Sequence, residues 1–482
     1  MAVSPGAARP VICAKLRGLS NGGGPSTLRR SAMSNKPRVI VIGGGLAGLA
    51  AAVRIAEAGG EVITLEATKS GGGRSRSFHD KVTGREIDNG QHLLMGCYHE
   101  TIAFLRAIGA PEGSIDFQRN LSMTMIKPGG GRIEMVCPPL PAPLHLAAGL
   151  LRMRGLGMLH RAAALRAGLL LRGEIERPDD NETCDAWLRR LGQTRAIRAA
   201  FWEPLIWAVL NDDPLVASAA MLVAVIERAF MSTRDDSALG VPRRPLSDIY
   251  VDRAVEWIRD RGGEVRFAAA VRAIELDTDG RVRGVTLKSG ETIEASQVIT
   301  AVPPHALLEL LPDAAREHVV FRDVARLDTS PIVNLWVTLS KPLLDRPFVG
   351  LVASPLHWLW DRDRIEKSRR KESDDNLLSV TISGARSFVN DQPEALRELF
   401  IGEVARYFPN AKPEIKAFRV VKEKRATISH AAGTYQRRPE TVSPIPGLLL
   451  AGDWVRTGIP ATIESAVQSG HDAAARALVT RT

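Results

Sequence analysis

The sequence predicts an α/β fold, a Rossmann-like dinucleotide-binding domain interrupted by an inserted α+β substrate domain. Three observations predict it. A β-branched run, Arg38 to Ile42, leads straight into Gly43-Gly44-Gly45-Leu46-Ala47-Gly48 and then an Ala- and Leu-rich helix through Ala58. Near the other end, the apolar strand Gly447 to Ala451 stops at Gly452-Asp453 and is followed by a helix. Between them lie short strands with hairpin turns and two long intervening stretches.

In the first unit, Gly43 permits a tight turn, Gly45 lets backbone approach a pyrophosphate, and Gly48 lets the helix pack close to the sheet. Phosphates then meet the positive end of that helix. After Gly59-Gly60 a second strand, Glu61 to Leu65, ends at Glu66, about 20 residues beyond Gly45, where an acid bonds ribose hydroxyls and disfavours a 2′-phosphate. FAD and NAD both satisfy this unit, and NADP is not expected. Gly71-Gly72-Gly73-Arg74-Ser75-Arg76-Ser77 adds flexible backbone beside a guanidinium able to pair with phosphate or a flavin edge.

The middle of the chain returns to the same domain. Tyr250 to Arg261 reads as a helix stopped by Gly262-Gly263, and Glu264 to Phe267 as a strand. Val271 to Leu276, Arg281 to Leu287 and Thr292 to Thr300 follow as strands, turned by Asp279-Gly280 and Ser289-Gly290.

On these residues the chain resembles the flavin-containing amine oxidase superfamily, whose members carry an acid followed by Gly-Gly-Arg after the first βαβ unit. The resemblance implies FAD. It implies a GR2-type cofactor domain built from residues 36–100, 240–305 and 440–482, with the substrate domain at 101–239 and 306–439. The implied cofactor residues are Gly43, Gly44, Gly45, Leu46, Ala47, Gly48, Glu66, Gly73, Arg74, Gly90, Val271, Gly452, Asp453, Thr462 and Ile463. Asp453 would bind the ribityl or pyrophosphate region, and the backbone at Val271 would contact adenine. The helix starting near Ala461 would aim N–H groups at the flavin N1 and O2 edge, where a helix N-terminus stabilises negative charge.

Asp88-Asn89-Gly90-Gln91-His92 resembles the Asp-x-Gly-x-His motif of carotenoid desaturases. Together with Gly458-Ile459-Pro460-Ala461-Thr462-Ile463-Glu464, it is similar to the hydroxysqualene dehydroxylases, a likeness that runs from Pro37 onward. Ser465 departs from the pattern, since desaturases more often have glycine there. The resemblance implies reductive removal of an allylic hydroxyl to give squalene and water, with hydride from reduced flavin N5. Asp88 and His92 are the candidate catalytic residues, as proton donor or as groups that position the leaving oxygen; the ordinary alternative for His92 is a backbone hydrogen bond. Two other readings stand: a phytoene desaturase or isomerase with hydride moving the other way, and a non-catalytic FAD-stabilised lipid carrier or scaffold. An amine oxidase is disfavoured, because no aromatic pair is recognisable as its cage.

Composition bounds the rest. The chain has 482 residues, 45% of them hydrophobic, enough for two or three domains. Cys13, Cys97, Cys137 and Cys184 form no CxxC pair, so neither a disulfide framework nor a metal site is expected, and a cytoplasmic setting fits best. The net charge of +10 draws on Arg9, Lys15, Arg17, Arg29 and Arg30, with no acid in residues 1–35; that segment reads as a disordered extension, and Met33 is a candidate start. The balance disfavours nucleic acid as a partner.

No apolar run is long enough to span a membrane, and Leu215 to Ile226 reads as a buried helix. Asp361 to Asn376, dense in both charges, reads as a solvated loop. Pro138 to Gly173 is apolar and carries Arg152, Arg154, Arg161, Arg166 and Arg172 with no acid, a pattern open to two readings: contact with the surface of an anionic membrane, on its inner face, or ordinary packing as lid helices. At about 100° per residue, Arg154, Arg161 and Arg172 share a side, Arg152 and Arg166 fall opposite, and Gly155 and Gly157 break the helix. The candidate partners are thus a long isoprenoid substrate, an external electron donor, that membrane surface, and squalene-synthesis enzymes.

Overall fold

A parallel five-stranded sheet forms where the glycine motifs lie. The computed structural model describes residues 38–172, 177–366 and 375–479. The N-terminal extension, Met33, Cys13 and the side chain of Arg172 lie outside the described residues. Strand β1 (Arg38–Ile42) is central, with β2 (Glu61–Leu65) on one side and Gln297–Thr300 on the other. Glu264–Arg266 completes one edge and Leu448–Leu450 the other, so strands from both ends of the chain flank the same neighbour. Val39, Ile40 and Val41 are buried on both faces, the pattern of a parallel sheet covered by helices. Helix α1 (Leu46–Glu57) is buried along almost its whole length, because the C-terminal helix Ile463–Val479 lies across it. A Cβ on Gly470 would come 2.2 Å from the Ala47 carbonyl oxygen, so only glycine permits that crossing. This is the predicted α/β, Rossmann-like architecture.

A second sheet of seven strands draws on residues 122–136 and 329–428. Alternation divides its faces. Trp358 and Trp360 point toward a core shared with the helices of residues 144–231, while Leu359, Val337 and Val380 face the helix Pro393–Tyr407.

Several boundaries differ from the sequence expectation. Thr292 to Thr300 is not one strand: Thr292–Glu294 closes a hairpin with Val282–Leu287, and after a break at residues 295–296 Gln297–Thr300 enters the parallel sheet. The buried helix begins at Ala219, capped by the Ser218 hydroxyl, and leaves Leu215 63% exposed. A π-helical turn, Ser247–Val251, precedes the helix Asp252–Asp260. The charged run from Asp361 is not a solvated loop over its described part. Arg362 and Glu366 form a buried i,i+4 ion pair on a short helix, and Arg85 reaches Asp363 at 2.5 Å. Residues 367–374 lie outside the described residues.

The arginine-bearing stretch forms two helices, with the break that Gly155 and Gly157 predict lying between them. Helix α2 (His99–Ala107) packs on the C-terminal helix, while α3 (Leu144–Leu151) and α4 (Met158–Arg172) are parted by a turn at Gly155, whose φ is +78°. The arginines on either side of that turn therefore do not share one helical axis.

Candidate functional site

The two outer glycines of the first turn are dictated by packing, and the middle one by open space. A Cβ on Gly43 (φ +106°) would meet the Ala301 carbonyl oxygen at 3.0 Å, and one on Gly48 would lie 1.9 Å from the Gly43 carbonyl oxygen. A Cβ on Gly45 would meet no atom within 4 Å. Helix α1 starts next to it with Leu46 and Ala47, without a capping side chain and with no acid in its first turn. Its first N–H groups have no acceptor within the helix, so this terminus is disposed to receive an anion. The second glycine loop leans on the first: Gly72 N–H donates to the Gly44 carbonyl at 2.7 Å, and a Cβ on Gly73 would sit 3.6 Å from Gly45 Cα.

Glu66 closes one end of this cradle. Its Oε2 accepts from Gly44 N–H at 2.7 Å, and its Oε1 accepts from the backbone and hydroxyl of Thr68. A carboxylate offers about four lone-pair positions, so one is left for a further donor. Ala269 N–H donates to the Glu66 carbonyl, which sets the strand beginning at Val271 beside this acid.

The other wall comes from the C-terminal segment. Gly452 (φ +136°) leaves no room for a Cβ, which would lie 2.4 Å from the Trp454 indole nitrogen. Asp453 is buried and takes two hydrogen bonds from Arg74, at 2.7 and 2.9 Å. Arg74 also donates to the Ala426 carbonyl. Burial pulls the Arg74 pKa down, but Asp453 and then Glu423 carry it above its ordinary value. The two residues expected to reach for a ligand thus hold each other.

Thr462 caps the C-terminal helix, its Oγ1 accepting from Ser465 N–H, with Ile463 as the first helical residue. Ser465 is wholly buried without strain on the packing, because its hydroxyl donates to the Asp453 carbonyl at 3.1 Å and lies 2.7 Å from that of Thr457. Glu464, fully buried, accepts from Glu100 N–H, Thr101 N–H and hydroxyl, and Arg228. It caps α2 and ties the helix Ile463–Val479 to Arg228.

Asp88 and His92 flank Gly90, where a Cβ would come 2.7 Å from Asn334 Nδ2. Asp88 is buried, and its Oδ1 accepts from the Ser77 hydroxyl at 2.6 Å and Leu246 N–H at 3.0 Å. His92 Nδ1 lies 2.8 Å from the Gly90 carbonyl oxygen, so that nitrogen carries the proton and Nε2 is an acceptor. Burial lowers the His92 pKa, against the opposing charge of Asp88, while Arg74 lowers it further. The imidazole is therefore neutral near pH 7, suited to hold a hydroxyl by accepting from it.

Three features escaped the sequence reading. His430 is buried with both nitrogens committed, Nδ1 to the Leu210 carbonyl and Nε2 to Ala461 N–H, and so anchors the loop that precedes Thr462. Its own N–H and the Ser429 hydroxyl both donate to Asp212. Arg362 donates to Gln91 Oε1, beside His92. The Tyr250 hydroxyl is buried without a hydrogen-bond partner among the described residues, and Asp88 and Tyr98 act on it electrostatically. Only Arg362 left a local signal, its i,i+4 spacing to Glu366; His430 meets partners far away in sequence.

Known proteins resemble this chain along nearly its whole length. The family model for flavin-containing amine oxidoreductase matches residues 46–478. Proteins named hydroxysqualene dehydroxylase from Zymomonas mobilis and Rhodopseudomonas palustris are each 30% identical, over 456 and 446 residues, covering 91% and 90% of this chain and 98% and 97% of theirs. A 15-cis-phytoene desaturase from Synechococcus elongatus is 24% identical over 451 residues, 90% of this chain and 94% of its own. The crystal structure of an oxidoreductase from Methanosarcina mazei superposes with a TM-score of 0.72 at 18% identity, covering 90% of this chain and 99% of the other, and so shares the fold. A flavin dinucleotide fits the residues present: the open side of Gly45, the uncapped start of α1 and the walls at Glu66 and Asp453 leave space and donors for one. The chain belongs to the flavin-containing amine oxidoreductase family and is a FAD-dependent oxidoreductase.

Proposed function

We propose that the chain reductively removes the hydroxyl of hydroxysqualene, giving squalene and water. The observation that carries this reading is the 30% identity, over almost the full length of both chains, to proteins of that name, against 24% for the desaturase. The net change replaces C–OH by C–H, consuming two electrons and two protons. FAD, when bound, supplies hydride chemistry. The remaining tasks fall to the protein.

In this reading residues 36–100, 240–305 and 440–482 form the FAD-binding part. Gly43, Gly44, Gly45, Leu46, Ala47 and Gly48 receive the pyrophosphate, Glu66 and Val271 the adenosine end, and Gly73, Arg74, Gly90, Gly452, Asp453, Thr462 and Ile463 the remainder. Residues 101–239 and 306–439 enclose a long apolar substrate and exclude water from the reacting carbon. His92 Nε2 accepts from the substrate hydroxyl and orients it; once the imidazole takes up a proton, favoured by the Asp88 carboxylate that Ser77 and Leu246 fix, it donates to that oxygen, which leaves as water. Gln91, gripped by Arg362, keeps this segment in place.

Purified holoprotein given hydroxysqualene or phytoene, each with and without prior reduction, tests the reading. Squalene formed from hydroxysqualene only after reduction supports it. Desaturated product from phytoene with oxidised flavin selects the desaturase reading, and binding of either lipid with no product selects the carrier.

A further inference from the structure

Helices α3 and α4 pack inward through Leu150, Ala164 and Ala167, which join Cys137, Met153 and Leu156 in the core. Their outward side is apolar as well. Leu144 and Leu151, seven residues apart and hence on one side of α3, are 55% and 53% exposed, and Met158 and Leu159 at the start of α4 are 79% and 83% exposed. Six of the fourteen exposed large hydrophobic side chains among the described residues fall within 136–159, so this is a concentration and not the scatter normal for a surface.

Positive charge rims the patch. Arg152 and Arg154 are exposed in the turn between the helices. Arg161 donates to the Leu156 and Leu151 carbonyls, at 2.7 and 3.0 Å, which fixes its guanidinium beside the apolar tip. Among the described residues, none of Arg152, Arg154, Arg161 or Arg166 forms an ion pair with a carboxylate, and positions 135 to 173 contain no acid. Nearby acids are already engaged, Asp345 by Arg132 and Glu134 by Arg346.

We propose that this hairpin docks on the surface of an anionic lipid bilayer, with Leu144, Leu151, Met158 and Leu159 entering the headgroup boundary and the arginines meeting lipid phosphates. A second copy of the chain is a poorer occupant, because a self-complementary contact through this face would set arginines against arginines. No helix of the described residues is long and apolar enough to cross a membrane, so the association would be peripheral. The proposal does not depend on which isoprenoid is the substrate.

Flotation of the full-length, FAD-loaded protein tests it, using vesicles of phosphatidylcholine with or without phosphatidylglycerol. Wild type is expected to float with phosphatidylglycerol vesicles at low salt and to be released by high salt. Met158→Asp/Leu159→Asp and Arg152→Glu/Arg154→Glu should each reduce partitioning about tenfold or more, while FAD content and turnover of detergent-dispersed substrate stay unchanged. The proposal is overturned if wild type stays unbound at low salt, or if the variants float as wild type does. It is overturned equally if Met158→Asp/Leu159→Asp abolishes a dimer of a protein that never floats.

Discussion

Arg74 and Asp453, 379 positions apart, form a two-point ion pair that joins the N-terminal glycine loop to the C-terminal helix approach. The strand that leads to Arg74, Glu61–Leu65, and the one that leads to Asp453, Leu448–Leu450, are separated in the sheet by Arg38–Ile42 and Gln297–Thr300, so this pair closes the cradle across the sheet's central region. Arg74→Ala and Asp453→Ala are each expected to weaken FAD binding about tenfold or more, roughly 1.4 kcal/mol. The double variant should lose little beyond the worse single one, since both remove the same tie. Flavin-fluorescence titration of the apoprotein checks this; additive losses would mean the residues act separately.

The glycines of the first turn separate binding from folding. Gly45→Ala adds a methyl into open space at an ordinary φ of −77°, so the melting temperature of the apoprotein should hold while FAD affinity falls. Gly48→Ala drives a Cβ to 1.9 Å from the Gly43 carbonyl oxygen and should destabilise the fold by about 3 kcal/mol or more. Thermal melts with and without FAD read both outcomes.

Much of this was legible in the sequence because it is local. The spacing of Gly43, Gly45, Gly48 and Glu66 specifies a strand, a turn, a helix and a second strand within one contiguous stretch of sequence. The Gly452-Asp453 strand end was readable for the same reason. The partners of His430 were not, since Leu210 lies 220 residues from it and no periodicity encodes such a meeting. The run at Asp361 misled because charge normally marks solvent, whereas the mutual pairing of Arg362 and Glu366 makes their burial tolerable. Thr292 to Thr300 read as one strand because β propensity does not say which sheet a residue joins.

Asp88→Asn and His92→Ala are expected to keep FAD and lower turnover by about 100-fold or more, the usual scale for a lost acid–base or positioning group. His92→Gln, which keeps an acceptor, should recover part of that loss if positioning is its role. Single-turnover rates on the FAD-loaded variants measure this, and near-wild-type rates in both first variants would remove these residues from the chemistry.

His430 makes stability sensitive to acid. Burial pushes its pKa down to about 4, from about 6.5 in the unfolded chain. Between these values the unfolded state holds a proton that the native state refuses, so its contribution is present above about pH 6.5 and is lost as pH falls toward 4. Denaturant titrations should show up to about 3 kcal/mol of such loss. In His430→Phe, less stable at neutral pH because Ala461 N–H loses its acceptor, this part of the slope should vanish. An unchanged slope would show that other groups govern acid sensitivity.

The most direct test is anaerobic stopped-flow mixing of the pre-reduced holoprotein with hydroxysqualene. The oxidised flavin spectrum is expected to reappear at a rate set by substrate concentration, with one squalene formed per flavin. A spectrum that stays reduced, with substrate recovered intact, would contradict the proposed reaction.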